Sequence, residues 1–434
     1  MNVIALVVLS VCVASPVWAN IYCVNNVIGN DVNPGIALIG KDCSACLDSA
    51  VAPWNTLNKV NNTFLQPGDR ICLAANNVWY EQLIISFSGN ANAPIVYDEY
   101  GSGALPQIDA GDTVDNSVVI TNQSYVRINN LAVIVSQQLL GSAIFVSGGH
   151  DIEVSRVKLT NLRKLKSDPL QVYDSNFFKL DQSEIQGGFH GIHILGNNHQ
   201  GFIFTVTNNY IHDIDAGNQA DWDGIKCTGG GTTGIDFSGS LIEGNRITRF
   251  GEDGIDLKFC GGNYTVRNNI IYKPNNKYVT NPNINAIKLP DENQPGRITV
   301  ESNQFLYIIG NISGVGTCLI GGKDKAHQII NNKCYSPAMY GFYIDSWDGA
   351  NVSNNQVTGA KYAIKVVDSF DNGTNITLFN NILAGSLQDL RIKGANVTVT
   401  GDNNSFIQQG VVTFEKPFGG KYVSGGHDLF LKTP

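Results

Sequence analysis

The run Asn268-Asn269-Ile270-Ile271 is one copy of a pattern that fills most of the chain. Asn-Asn with a short apolar segment returns at Asn129-Asn130-Leu131, Asn208-Asn209-Tyr210-Ile211, Asn331-Asn332-Lys333-Cys334, Asn354-Asn355-Gln356-Val357, Asn380-Asn381-Ile382-Leu383 and Asn403-Asn404-Ser405-Phe406. Weaker copies stand at Gly244-Asn245-Arg246-Ile247 and Ser302-Asn303-Gln304-Phe305. In the second half of the chain the copies are roughly 23 to 36 residues apart, the length of a solenoid coil with loops of varying size.

A second pattern, a small residue followed by apolar-x-apolar, runs out of phase with the first. It appears as Ser142-Ala143-Ile144-Phe145-Val146, His190-Gly191-Ile192-His193-Ile194, Asp223-Gly224-Ile225-Lys226-Cys227, Gly254-Ile255-Asp256-Leu257, Asn285-Ala286-Ile287-Lys288-Leu289, Tyr340-Gly341-Phe342-Tyr343-Ile344 and Tyr362-Ala363-Ile364-Lys365-Val366. Two or three short strands per coil, Asn at the corners and no long amphipathic helix predict an all-β parallel β-helix, its Asn side chains hydrogen-bonded from coil to coil. The long crossover that parallel strands need is then the rest of each coil.

A length of 434 residues alone would suggest two or three domains, but a solenoid grows in one dimension. The expected division is residues 1–19 as a signal peptide, 20–110 as N-terminal cap and first coils, 111–410 as the coils carrying the site, and 411–434 as a closing segment. Val3 to Val13 is apolar and Val17-Trp18-Ala19 is a small-x-small cleavage pattern, although no Lys or Arg precedes the run. The segment is shorter than a membrane span requires, so the chain reads as secreted with no membrane span. Pro53 to Leu65 has near-helical apolar spacing and is stopped by Gln66-Pro67-Gly68-Asp69; this predicts a short helix over the open end of the sheets.

Without the signal, eight cysteines remain, an even number that favours disulfides in an exported chain. Cys23, Cys43, Cys46 and Cys72 are expected to pair among themselves. Cys227 with Cys260 and Cys318 with Cys334 are each about one coil apart. A net charge of −8 on a chain poor in charged residues excludes nucleic acid as a partner.

The chemistry concentrates in Gly251-Glu252-Asp253-Gly254-Ile255-Asp256-Leu257-Lys258. Ile255 and Leu257 read as inward strand positions, which turns Asp256 outward. If the flanking copies stack in phase, Lys226, Asp256 and Lys288 form an outward column with neighbours about 4.8 Å apart. Glu252, Asp253 and Asp256, with Asp223 one coil earlier, offer hard oxygen ligands without thiolate, the donor set of calcium. Taken singly, these acids are also ordinary turn residues. The longest insertions, 213–222, 227–236, 273–284 and 290–297, border this stretch and would raise the walls of a cleft.

These residues resemble the calcium-dependent polysaccharide lyases of family nine, pectate lyases on a right-handed parallel β-helix. Glu252-Asp253-Gly254-Ile255-Asp256 is similar to that family's acid-acid-Gly-x-Asp motif, with Glu252 where Asp is usual. Asp223 matches its Asp from the preceding coil, and Lys288 its apolar-Lys-Leu base, with Pro290 where Gly is usual. The resemblance implies calcium held by Asp223, Glu252, Asp253 and Asp256. It also implies proton abstraction by Lys288 and β-elimination on an acidic polysaccharide such as polygalacturonate, by a chain expected to be monomeric. Lys226, Lys258, His193, Arg297 and Lys323 are further candidates for substrate contact. Two other readings are carried: a glycoside hydrolase using Asp253 and Asp256, and a non-catalytic glycan-binding or adhesin β-helix. Arg391-Ile392-Lys393 is similar to a motif of polygalacturonase-type hydrolases whose acidic partner motifs are missing here.

Overall fold

In the computed structural model the chain winds into a right-handed parallel β-helix with very little α-helix. The structure describes residues 19–37, 42–111, 114–135, 141–161, 167–196, 201–214, 222–228, 235–273, 284–290, 294–309, 316–321, 326–345, 347–369, 373–394 and 396–407, and the backbone of 413–414, 421–425 and 428–432. The expected signal segment lies outside them up to residue 18, as do Lys323 and most of the four insertions.

Strands stack into a first sheet of 15 strands, with Ile36–Ala37 at its edge beside Ile21–Val24, and two sheets of 13. The second runs from Val78–Trp79 to Ser405–Phe406, the third from Leu83–Ile85 to Thr413–Phe414. One coil supplies a strand to each sheet, as Tyr264–Arg267, Ile270–Tyr272 and Ile284–Lys288 do. An antiparallel strand, Ile36–Ala37, covers the first edge of the first sheet.

The Asn-Asn pairs divide two tasks between their members. The first residue takes a left-handed backbone at the corner, with φ of 57° at Asn208, 55° at Asn268 and 57° at Asn331. Asn tolerates that region better than most residues, and Gly244 at φ 68° serves equally in a weaker copy. The second residue is buried and builds the ladder. In Asn209, Asn245, Asn269, Asn303, Asn332, Asn355 and Asn381 the backbone N–H and Nδ2 both donate to Oδ1 of the next Asn, ending at Asn404, over 2.8–3.1 Å. At Asn129-Asn130 the frame is one residue earlier: Asn130 takes the left-handed corner and Leu131 fills the buried place.

The other repeat is explained by crowding inside the third sheet. A Cβ on Gly224 would lie 2.5 Å from the Gly254 carbonyl oxygen, and one on Gly254 would lie 2.7 Å from that of Ala286. The next position inward forms a continuous apolar file, Ile144, Leu170, Ile192, Ile225, Ile255, Ile287, Leu319, Phe342, Ile364 and Leu390, paired rung to rung and buried. Such files remove apolar surface from water along the whole axis, at about 25 cal/mol per Å².

The capping helix is shorter than the sequence spacing predicts, spanning Leu57–Asn61. Trp54 is held instead in a bridge with Val24, and its indole N–H donates to the Asn33 carbonyl. Thr56, still extended, caps the helix by accepting from Lys59 N. Four disulfides form: Cys227 to Cys260 and Cys318 to Cys334 as expected, and within the N-terminal quartet, whose pairing the sequence left open, Cys23 to Cys46 and Cys43 to Cys72. Near the end of the chain, Thr413–Phe414 extends the third sheet and Lys421–Gly425 forms a hairpin with Asp428–Lys432. No described helix is long and apolar enough to cross a membrane.

Candidate active site on the third sheet

The third sheet carries the predicted column: His193 pairs with Lys226, Lys226 with Asp256, and Asp256 with Lys288. The Cys227–Cys260 disulfide ties the strand of Lys226 to the segment just past Asp256. Gly251 packs against the Trp222 indole, where a Cβ would lie 2.4 Å from the side chain, and Gly251 N and Glu252 N both donate to the Trp222 carbonyl. The buried Lys273 ammonium donates to the Phe250 and Gly251 carbonyls and fixes the turn that delivers the acids.

Asp223, Asp253 and Asp256 converge. Each offers a carboxylate oxygen within 4.8 Å of the other two, and all three side chains are buried. Asp223 Oδ1 accepts from Asp253 N at 3.0 Å; Asp253 Oδ1 accepts from Asn285 N and Nδ2 at 3.1 and 2.7 Å; Asp256 Oδ1 accepts from Lys258 N at 2.9 Å. The second oxygens face one another and the two lysines. Lys226 Nζ bridges Asp223 Oδ2, at 3.0 Å, and Asp256 Oδ2. Lys288 Nζ stands 3.5 Å from Asp253 Oδ2, a fully buried oxygen with no hydrogen-bond partner.

Electrostatics divides the three acids. Burial, reinforced by Asp256 and Glu252 against the pull of Lys226, pushes Asp223 up to about 7. Burial, then Asp223 and Asp256, drive Asp253 well above the carboxylate range. Asp256 is buried too, but Lys226 and Lys288 hold it below its ordinary value. Burial lowers both lysines, yet the surrounding carboxylates win and leave each more basic than a free lysine.

The remaining candidates divide. Glu252 lies outside the converging trio and acts on it through charge. His193 Nδ1 hydrogen-bonds Asp168 at 3.0 Å, and Nε2 is 3.3 Å from Thr228 Oγ1. Lys258 reaches the site through its backbone N–H, whereas its ammonium lies 5.1 Å over the Phe259 ring. Arg297 is exposed and leads into Ile298–Glu301 of the first sheet, away from the column. Sequence reasoning missed Asp168 and Asn285 as supports. Asp168 accepts from His190 N at 2.7 Å, and His190 Nδ1 lies 3.4 Å from Asp223 Oδ2. Asp168-Pro169-Leu170-Gln171-Val172 opens a third-sheet strand in the same phase as Asp223, and that phase was the available signal.

Residues 142–332 match the family model described as "Right handed beta helix region". No curated protein matches the chain. Among solved structures, the lacto-N-biosidase from Eubacterium ramulus is 11% identical over 89% of this chain and 67% of its own, with a TM-score of 0.47. The Agl-KA catalytic domain is 16% identical over 90% and 69%, at 0.49. The pectate lyase Pel9A is 14% identical over 89% and 78%, at 0.34. These are likenesses of coil architecture; the chemistry rests on the side chains of the site.

A divalent cation fits the trio on this chain's own terms. Three buried carboxylates converge beside the ammonium groups of Lys226 and Lys288, and among the described residues Asp253 Oδ2 accepts no hydrogen bond, its nearest cation being Lys288 Nζ at 3.5 Å. The all-oxygen set suits calcium.

Proposed function

We propose that the chain is a secreted, calcium-dependent polysaccharide lyase that cleaves pectate or a related polyuronate by β-elimination. The observation that carries this reading is the ion pair of Lys288 Nζ with the buried Asp253 Oδ2 at 3.5 Å, on the rung next to Asp256. Asp223, Asp253 and Asp256 would hold calcium, with Glu252 adding charge from outside the trio. Calcium bound there supplies positive charge that offsets the uronate carboxylate and the enolate-like charge that grows on it.

Lys288 is the group that moves the proton. Its amine takes the hydrogen on the ring carbon next to the carboxylate. The freed electron pair becomes the ring double bond as the adjacent bond to the glycosidic oxygen breaks, and that oxygen takes a proton from water. A base must be neutral, and the carboxylates around Lys288 favour its charged form. Compensation of those carboxylates removes that bias, which links turnover to occupancy of the trio. Lys226 neutralises Asp223 and Asp256 in the resting site and orients both. Four disulfides support an oxidising compartment.

One observation favours a second reading, a glycoside hydrolase. Burial and the neighbouring carboxylates raise Asp253 while Lys226 and Lys288 lower Asp256, a divergence in the direction an acid and a base require. Incubation with polygalacturonate, with calcium or with chelator, separates the two. The lyase yields near-ultraviolet absorbance and reducing ends together, only with calcium. The hydrolase yields reducing ends without absorbance, and a glycan-binding protein yields neither.

A further inference from the structure

Beyond Lys288 the same outward file continues through Ile320, Tyr343, Lys365 and Arg391. At about 4.8 Å per rung, Lys365 stands about 14 Å from Lys288 along the axis and Arg391 about 19 Å. The surface changes character here from acidic to cationic and aromatic. Lys365 Nζ lies 4.8 Å from the Tyr340 ring centroid and 4.9 Å from that of Tyr343, and Arg391 lies 4.6 Å from that of Tyr362. Tyr340 stacks on Tyr362 at 5.6 Å, with the ring planes 24° apart. Among the described residues no carboxylate lies within salt-bridge distance of Lys365, and burial together with Arg391 lowers its basicity.

Two cations held close together over aromatic rings form a receptor for an anion that carries an apolar face. A hexuronate residue has both: a carboxylate for Lys365 and Arg391, and ring C–H groups for Tyr340 and Tyr343. Resting on the lyase reading for the choice of polymer, we propose that Tyr340, Tyr343, Lys365 and Arg391 form a remote subsite for an acidic sugar. The subsite holds a polyuronate along the helix axis, two to four rungs from Lys288. It gives the enzyme a preference for long chains, because fragments too short to span those rungs cannot reach it.

The test uses galacturonate oligomers of graded length with the full chain, titrated by calorimetry while near-ultraviolet absorbance is followed in the same samples. Lys365→Ala with Arg391→Ala should weaken binding of the longest oligomers by about tenfold or more, leave the shortest unchanged, and raise KM rather than lower kcat. Tyr343→Ala should weaken the same oligomers, and Lys365→Arg should largely restore them. Equal affinity of the double variant and the native chain at every length would overturn the subsite while leaving elimination at Lys288 intact. Length-dependent affinity without absorbance would retain the subsite and overturn the lyase reading. A native chain that binds no galacturonate oligomer would overturn the assignment of an acidic sugar.

Discussion

Lys226 and Asp256 sit on adjacent rungs of the third sheet, and the ammonium of one is bonded to the carboxylate of the other at the centre of the acidic trio. Lys226 also bonds Asp223, so a single cationic side chain satisfies two of the three acids. It stands where an added cation would compete. Lys226→Met should therefore destabilise the protein in chelator by about 3–5 kcal/mol, the usual result of removing one partner from a buried pair. The same variant should bind calcium more tightly, and calcium should recover most of the lost stability. Thermal unfolding with and without calcium, beside a calcium titration, checks both signs.

The Asn ladder predicts position-dependent stability. Asn303 lies mid-ladder, and its Nδ2 donates to Asn332 Oδ1 and to the Val266 carbonyl, while its own Oδ1 serves Asn269. Asn303→Ala leaves several buried groups unpartnered and should cost about 2–4 kcal/mol. Asn404, at the end of the ladder, should cost about half as much when replaced by Ala. Denaturant midpoints at constant slope would measure the difference.

The ladder also marks how far the sequence can be read. The Asn-Asn recurrence specifies coil length and corner, since one Asn suits a left-handed backbone and the other stacks. The apolar-x-apolar phase specifies which side of the third sheet faces out, so the His193, Lys226, Asp256 and Lys288 file was legible before any coordinates. Glu252, expected beside Asp253 and Asp256, lies outside the converging trio, with its backbone N–H donated to the Trp222 carbonyl. Lys226 was read as an outward contact for substrate. Its role in neutralising Asp223 and Asp256 depends on a side-chain direction that spacing does not encode. Arg297, a candidate for binding uronate carboxylates, leads instead into a strand of the first sheet.

Acid should loosen the second sheet where the strand Tyr210–His212 ends at Asp213. Hydrogen bonds from Arg249, with help from His212, hold Asp213 down at about 2. The unfolded chain has the higher pKa, so this group adds stability above about pH 4. That stability is lost as pH falls from about 4 to 2. Asp213→Asn should lower the melting temperature at pH 6 and flatten its dependence across that acid window. An unchanged acid slope in the variant would reject the assignment.

The Cys227–Cys260 disulfide closes a 33-residue separation around the acids. Replacing both cysteines by Ala should cost about 3 kcal/mol and weaken calcium binding, because the segment after Asp256 loses its covalent tie to the strand of Lys226. The same replacement at Cys318 and Cys334 should lower stability without touching calcium affinity. Calorimetric calcium titrations of the two double variants make the comparison.

The most direct measurement follows unsaturated product by near-ultraviolet absorbance on polygalacturonate in calcium, comparing the native chain with Lys288→Ala. The account predicts a calcium-dependent rise for the native chain. For the variant it predicts a loss of at least about a thousandfold in turnover, with folding and calcium binding retained. A native chain that releases reducing ends with no absorbance, or a variant that turns over at the native rate, would contradict it.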